Sequence, residues 1–136
     1  MDPLQLNPLA LAYLGDAVYE LEVRKYLLDQ GMVRVKQLHS AAVGMVKATT
    51  QAKAMHRLQG LLDEEESGVV RRGRNAKSGS IPKNTDVIDY RYATAFECLI
   101  GYWYLKGEQH KIDAAFQQAL KVVADTSDKS GLDKVD

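Results

Sequence analysis

The sequence predicts an all-α domain, on three observations. Its 136 residues hold only three prolines, at positions 3, 8 and 82, so long stretches contain nothing that removes a helical hydrogen bond. Those stretches are rich in Ala, Leu, Lys, Gln and Glu, which lose least on entering a helix. No segment shows the period-two alternation of a half-buried strand.

Caps and breakers then order the elements. Asn7 is a good N-cap, and Pro8 suits the first helical position, where its missing N–H is not needed. A first helix is predicted from Pro8 to about Asp29, ended by Gly31. A second is predicted over about Lys36 to Leu61, where Leu38, Ala41, Ala42, Met45, Thr49, Ala52 and Met55 fall near one face. Asp63 to Glu66 are consecutive acids, which favour the start of a short third helix reaching about Arg72. Gly73 to Asn84, with its glycines, serines and Pro82, reads as a loop. Asn84 or Thr85 can cap a fourth helix from Asp86 to about Lys106, closed by Gly107. A fifth runs from about Gln109 to Ala124. Residues 1–124 are thus expected to form one domain, and 125–136 a polar, mixed-charge tail that frays.

Composition narrows the function classes. Hydrophobic residues make up 46% and charged residues 26%, an ordinary globular balance. Lys+Arg and Asp+Glu are 18 each, so a polyanionic partner must be met by local clustering, not by net charge. One cysteine, Cys98, excludes an intrachain disulfide and a multi-cysteine zinc site; within an apolar run it reads as inert packing. The N-terminus lacks a signal-peptide pattern, and no apolar run is long enough to span a bilayer, so no membrane role and a cytoplasmic location are expected.

Two solitary carboxylates are the most informative feature. In PLALAYLGDAVY, residues 8–19, Asp16 is the only carboxylate; in ATAFECLIGYWYL, residues 93–105, Glu97 is the only charged residue. A carboxylate in so apolar a helix is costly unless a cation, donors, a proton or a metal compensates it. For either acid alone, pairing with a basic side chain or a place on an exposed stripe is the better explanation. Two such acids on separate core helices shift the balance towards one shared cavity, and two oxygen ligands with room for water suit Mg²⁺. Gly15 and Gly101 would let those helices approach closely. Glu20, one turn after Asp16, either supports the site from behind or pairs with Arg24, and the pair is the stronger reading. Asp86 and Asp89 suit the start of the fourth helix.

Residues 71–83, RRGRNAKSGSIPK, carry Arg71, Arg72, Arg74, Lys77 and Lys83 and no acid. Such residues neutralise nucleic-acid phosphates, and Asn75, Ser78 and Ser80 suit 2′-hydroxyls. A solvated basic loop is the plainer alternative. His39, His56 and His110 lack the spacing of a helical zinc site, and neither a P-loop nor a GxGxxG run is present.

These residues together resemble the ribonuclease III family. LAYLGDAVYE, residues 11–20, is similar to the family's first signature, whose metal-binding Asp corresponds to Asp16. FECLIGYWYL, residues 96–105, is similar to the second, whose Glu corresponds to Glu97. The segment 72–97 resembles the Mini-III branch in particular. The resemblance covers about Leu6 to Leu120. It implies an all-α ribonuclease III-like catalytic domain, an obligate homodimer with a catalytic valley along the interface, and Mg²⁺, for which Mn²⁺ can substitute. It further implies cleavage of double-stranded RNA to 5′-phosphate and 3′-hydroxyl ends, trimming of precursor 23S ribosomal RNA, and ribosomal protein L3 as a stimulating partner. Asp16 and Glu97 would be catalytic and hold the metal. Arg71, Arg72, Arg74, Asn75, Lys77, Ser78 and Lys83 would hold RNA, with Glu20 and Thr94 as outer supports. The chain departs from the family at Ala12 and Thr94, where carboxylates are usual. Two of four ligands therefore carry over, which implies a more hydrated metal. The same departures keep open an alternative, a non-catalytic double-stranded RNA-binding or ribosome-assembly scaffold on this fold.

Overall fold

The computed structural model describes residues 1–77 and 79–134, with side chains up to residue 126. Among the described residues it has helices and no strand: α1 (Pro8–Asp29), α2 (Val35–Val46), α3 (Ala48–Leu58), α4 (Glu64–Asn75), α5 (Val87–Lys106) and α6 (Gln109–Lys134). Short 3-10 turns at Pro3–Gln5 and Gln59–Leu61 complete it. The all-α expectation holds.

Several boundaries differ from the sequence reading, each for a local reason. The long second helix is two helices, broken at Lys47, whose backbone is extended (φ −66°, ψ 153°). The Thr50 hydroxyl donates to the Gly44 carbonyl at 2.7 Å, satisfying an acceptor the break would orphan. After the break the buried positions are Thr50, Gln51, Ala52, Ala54, Met55 and Leu58, so Ala52 and Met55 face inward as expected while Thr49 faces solvent. α4 continues to Asn75, so Arg71, Arg72, Arg74 and Asn75 are helical and only the rest of the basic segment is loop. Asp86 caps α5, its Oδ1 accepting from the Ile88 and Asp89 N–H groups at 2.9 and 3.0 Å. Asn84 instead takes a left-handed conformation (φ 64°) that turns the chain. α6 is assigned to Lys134 and takes in most of the segment set apart above as a tail; residues 135 and 136 lie outside the described residues.

α5 is the central helix, packed on α1, α3, α4 and α6. Phe96, Leu99 and Ile100 are fully buried with Tyr19, Met55 and Val69. Tyr19 meets Phe96 edge to face at 5.3 Å between centroids, and its hydroxyl donates to the Met45 carbonyl at 2.6 Å, joining α1 to α2.

At the α1–α5 crossing the backbones touch. A Cβ on Gly15 would lie 1.7 Å from the Glu97 carbonyl oxygen, and one on Gly101 would lie 2.3 Å from that of Leu11. The two glycines thus form one reciprocal contact.

A second lock, between α4, α5 and α6, is made by Glu66. It closes a capping box with Asp63: its Oε1 accepts from the Asp63 N–H at 2.9 Å, and Asp63 accepts from the Glu66 N–H at 2.8 Å. Its other oxygen accepts from Trp103 Nε1 at 2.7 Å and Lys111 Nζ at 2.8 Å, tying α4 to α5 and α6. Burial works to raise this carboxyl's pKa, but Lys111, the Asp63 N–H and the indole outweigh it and hold it below the usual 4.5.

Two outcomes are expected. Gly15→Ala must push α1 off α5, at a cost of about 2–3 kcal/mol in urea denaturation, outweighing the roughly 1 kcal/mol that Ala gains as a helix former. For Glu66, a depressed carboxyl contributes stability that is present above its unfolded pKa and is lost as pH falls through the folded one. Glu66→Gln should therefore cost about 2 kcal/mol at pH 7. Its stability should also fall less steeply than the wild type's below about pH 4.5, as followed by thermal melts across the acid range.

Candidate active site

The glycine contact decides where the two solitary acids go. Gly15 rests against the backbone of Glu97 itself, and Asp16 is the next residue of α1. Asp16 is open to solvent and Glu97 is half-buried beside it. Burial first, then the neighbouring Asp16 carboxyl, push Glu97 up to about 9, so it carries its proton at neutral pH. Among the described residues no set of three or more His, Cys, Asp or Glu surrounds them.

Two adjoining clefts lie along α5, and one of them reaches Glu97. One, of about 280 Å³, is bounded by α3, the loop before α5 and α5; Gln51, Pro82, Thr85, Tyr90, Thr94 and Glu97 contribute to its wall. The other, of about 430 Å³, shares Tyr90 and Thr94 with the first and is lined also by Asn75, Lys77, Ile81 and Arg91. The basic segment is therefore joined to Glu97 through a common wall.

The remaining sequence candidates are placed as follows. Thr94, one turn before Glu97, is buried and donates its hydroxyl to the Tyr90 carbonyl at 3.0 Å. Glu20 is engaged by Arg24 at 2.7 Å on the exposed side of α1. Arg71 and Arg72 are exposed on α4, whose Gly73 leaves no room for a Cβ against Ala95 and Cys98. Arg74 lies over the Tyr92 ring at 6.0 Å, and the same ring stacks against His56 at 4.3 Å. Lys77 and Lys83 are exposed. Ser78 lies outside the described residues. Cys98 is buried, donates to the Pro8 carbonyl at 3.0 Å and is pushed up to about 12, first by burial and then by Glu97, which leaves it an unreactive thiol.

Sequence reasoning missed Gln51, Tyr90 and Arg91. Arg91 had a signal, since it precedes Thr94 by three residues and Glu97 by six along one helix. Gln51 had none, because its position depends on the break at Lys47.

The exposed and half-buried acids suit a small hard cation. Both side chains offer oxygen donors, Glu97 opens onto a cleft, and no arginine or lysine is among the groups that shift Glu97.

Comparison with known proteins agrees with this geometry. Residues 9–108 match the Ribonuclease III domain. A Mini-ribonuclease 3 of Brevibacillus brevis is 54% identical over 122 residues, covering 90% of this chain and 91% of that protein. A Mini-ribonuclease 3 of Desulfitobacterium hafniense is 50% identical over 127 residues, 93% of this chain and 80% of that one. A crystal structure of a protein from Fusobacterium nucleatum superposes with a TM-score of 0.79 at 33% identity, covering 86% of this chain and 93% of that chain. An acidic pair set by a glycine crossing, on a helical domain matched over most of its length, therefore assigns this chain to the ribonuclease III family, among the Mini-ribonuclease 3 endoribonucleases.

Proposed function

We propose that this endoribonuclease cleaves double-stranded RNA with a divalent cation, Mg²⁺ or in its place Mn²⁺, held by Asp16 and Glu97. The observation that carries the reading is the closeness of these two acids, 81 residues apart in the chain, with Glu97 opening onto a cleft.

Such a cation supplies charge that stabilises the phosphate in the transition state and acidity that activates an attacking water. The protein's own part begins with a proton. Glu97 must release the one it holds before it can serve as an oxygen ligand, and the exposed Asp16 remains the first point of contact. Arg91, Asn75 and Lys77 line the neighbouring cleft and would hold the phosphate backbone there. Arg71, Arg72, Arg74 and Lys83 extend that basic surface along α4 and its loop, and Ser78 belongs to the same sequence segment. The A-form major groove is too narrow for side chains, so recognition rests on shape, phosphates and 2′-hydroxyls. Thr94 acts beside Glu97 as part of the cleft wall, whereas Glu20 is taken up by Arg24.

A homodimer is the second component of the reading. Leu9, Tyr13, Ala17 and Leu21 recur every four residues on one face of α1, and all are exposed, Tyr13 by 84% and Leu21 by 65%. An apolar stripe of that kind is suited to a second copy of the chain, and Asp16 lies at its edge. By family resemblance the substrate is precursor 23S ribosomal RNA, the products carry 5′-phosphate and 3′-hydroxyl ends, and ribosomal protein L3 stimulates the reaction in the cytoplasm. Among the described residues no helix is long and apolar enough to cross a membrane.

The direct test incubates the protein with a long RNA duplex in Mg²⁺ or EDTA. Cleavage should require the metal, and Asp16→Asn and Glu97→Gln should each lower its rate on the order of 10²-fold or more while duplex binding persists. Cation-independent cleavage, or full activity in both variants, would end this reading. A second outcome concerns protons. In metal-free protein, the stability contributed by protonated Glu97 is complete below about pH 4.5 and is lost as pH rises towards 9. Wild-type thermal stability in EDTA should thus decline over that window more than that of Glu97→Gln. Mn²⁺ affinity should move the other way, rising up to roughly tenfold per pH unit between pH 6 and 8 as the competing proton is removed.

A further inference from the structure

We propose that Gln51 is a positioning residue of the cleavage site, its side-chain carbonyl accepting hydrogen bonds from water around the cation that Asp16 and Glu97 hold. The inference rests on the reading of those acids as cation ligands.

Four polar or charged side chains are buried among the described residues: Thr50, Gln51, Glu66 and Thr94. Three have protein partners. Thr50 donates to Gly44, Thr94 donates to Tyr90, and Glu66 accepts from Asp63, Trp103 and Lys111. Gln51, only 3% exposed, has no side-chain hydrogen bond among the described residues. A buried carboxamide without a partner destabilises a fold, so natural proteins rarely keep one without use. No fully sealed side-chain nitrogen or oxygen lacks a partner among the described residues, so the Gln51 amide must reach open space. That space is the 280 Å³ cleft whose wall includes Glu97.

The chemistry of the site says what the amide would meet. Only two carboxylates come together, with no third His, Cys, Asp or Glu joining them among the described residues. A small hard cation on two carboxylates retains several waters, and each is a strong donor in need of an acceptor. Thr94 already spends its proton on Tyr90. The Gln51 carbonyl is an uncommitted acceptor facing the same space, and it orients water without adding charge. Groups that hold the surroundings of a metal commonly change its affinity 10–100-fold when removed.

The test measures Mn²⁺ binding by the electron paramagnetic resonance signal of the free ion, without RNA, for wild type, Gln51→Met, Gln51→Glu and Asp16→Asn. Gln51→Met should weaken binding about tenfold. Gln51→Glu, which keeps an acceptor and loses the donor, should bind at least as well as wild type. Metal-free Gln51→Met should be no less stable than wild type, because no hydrogen bond within the protein is lost. Wild-type affinity in Gln51→Met with a raised KM for duplex RNA would overturn the proposal and put the amide on the phosphate. Weakened binding in Gln51→Glu, or a lowered melting temperature in Gln51→Met, would overturn it too, as a donor or packing role. These failures concern Gln51 alone as long as wild type binds Mn²⁺ and Asp16→Asn does not. If wild type and Asp16→Asn bind alike, the reading of the acidic pair falls and this inference falls with it.

Discussion

The contact between two helix backbones at Gly15 and Gly101 constrains everything around it. Neither helix can carry a Cβ there, since the added atom would lie within 1.7 Å of one carbonyl and 2.3 Å of the other. With both positions bare, α1 seats on the middle of α5, and the residue after Gly15 is delivered beside Glu97. The same glycines that tighten the core thus assemble the acidic pair. Packing and the acidic pair share one constraint, so a change that loosens the crossing also separates the two acids.

Two glutamates in this small domain show opposite treatments of buried charge. Glu66 is surrounded by donors, the Asp63 N–H, the Trp103 indole and the Lys111 ammonium, and sits below the ordinary carboxyl range. It fastens three helices together. Glu97 receives no such company. Its neighbour is another acid, and it is pushed up to about 9. Glu66 is completed by donors of the protein, whereas no such donor is among the groups that act on Glu97. The arrangement also leaves Tyr19 and Cys98, both near Glu97, with raised pKa values and neutral at pH 7, so the acidic pair is the ionisable chemistry of that region.

The break between α2 and α3 is the second decision that matters for the site. A continuous helix would put Thr49 on the same face as Ala52 and Met55. With the extended Lys47 between the helices, Ala52 and Met55 stay buried, Thr49 is exposed, and Thr50 and Gln51 turn inward. The Thr50–Gly44 hydrogen bond makes the break tolerable, and Gln51 becomes part of the cleft wall. At the other side of the cleft, the short interval between α4 and α5 brings Asn75, Lys77 and Arg91 to a common lining with Thr94.

Much was legible before any coordinates. The all-α class, the Asn7 cap, the Gly107 stop, the isolation of Asp16 and Glu97 in apolar helices and the role of their neighbouring glycines all follow from residue type and spacing. These are local properties, and local physics encodes them. The cap of α5 at Asp86, the extra turn of α4 and the break at Lys47 were not legible, because Asn84, Thr85 and Asp86 are all competent caps and no proline or glycine marks residue 47. Residue identity determined that two acids would sit in apolar helices. Only the tertiary structure decided that they lie side by side and that Gln51 shares a cleft wall with Glu97, because both outcomes depend on how the helices are rotated and pressed together, and that is set by contacts between residues distant in the chain.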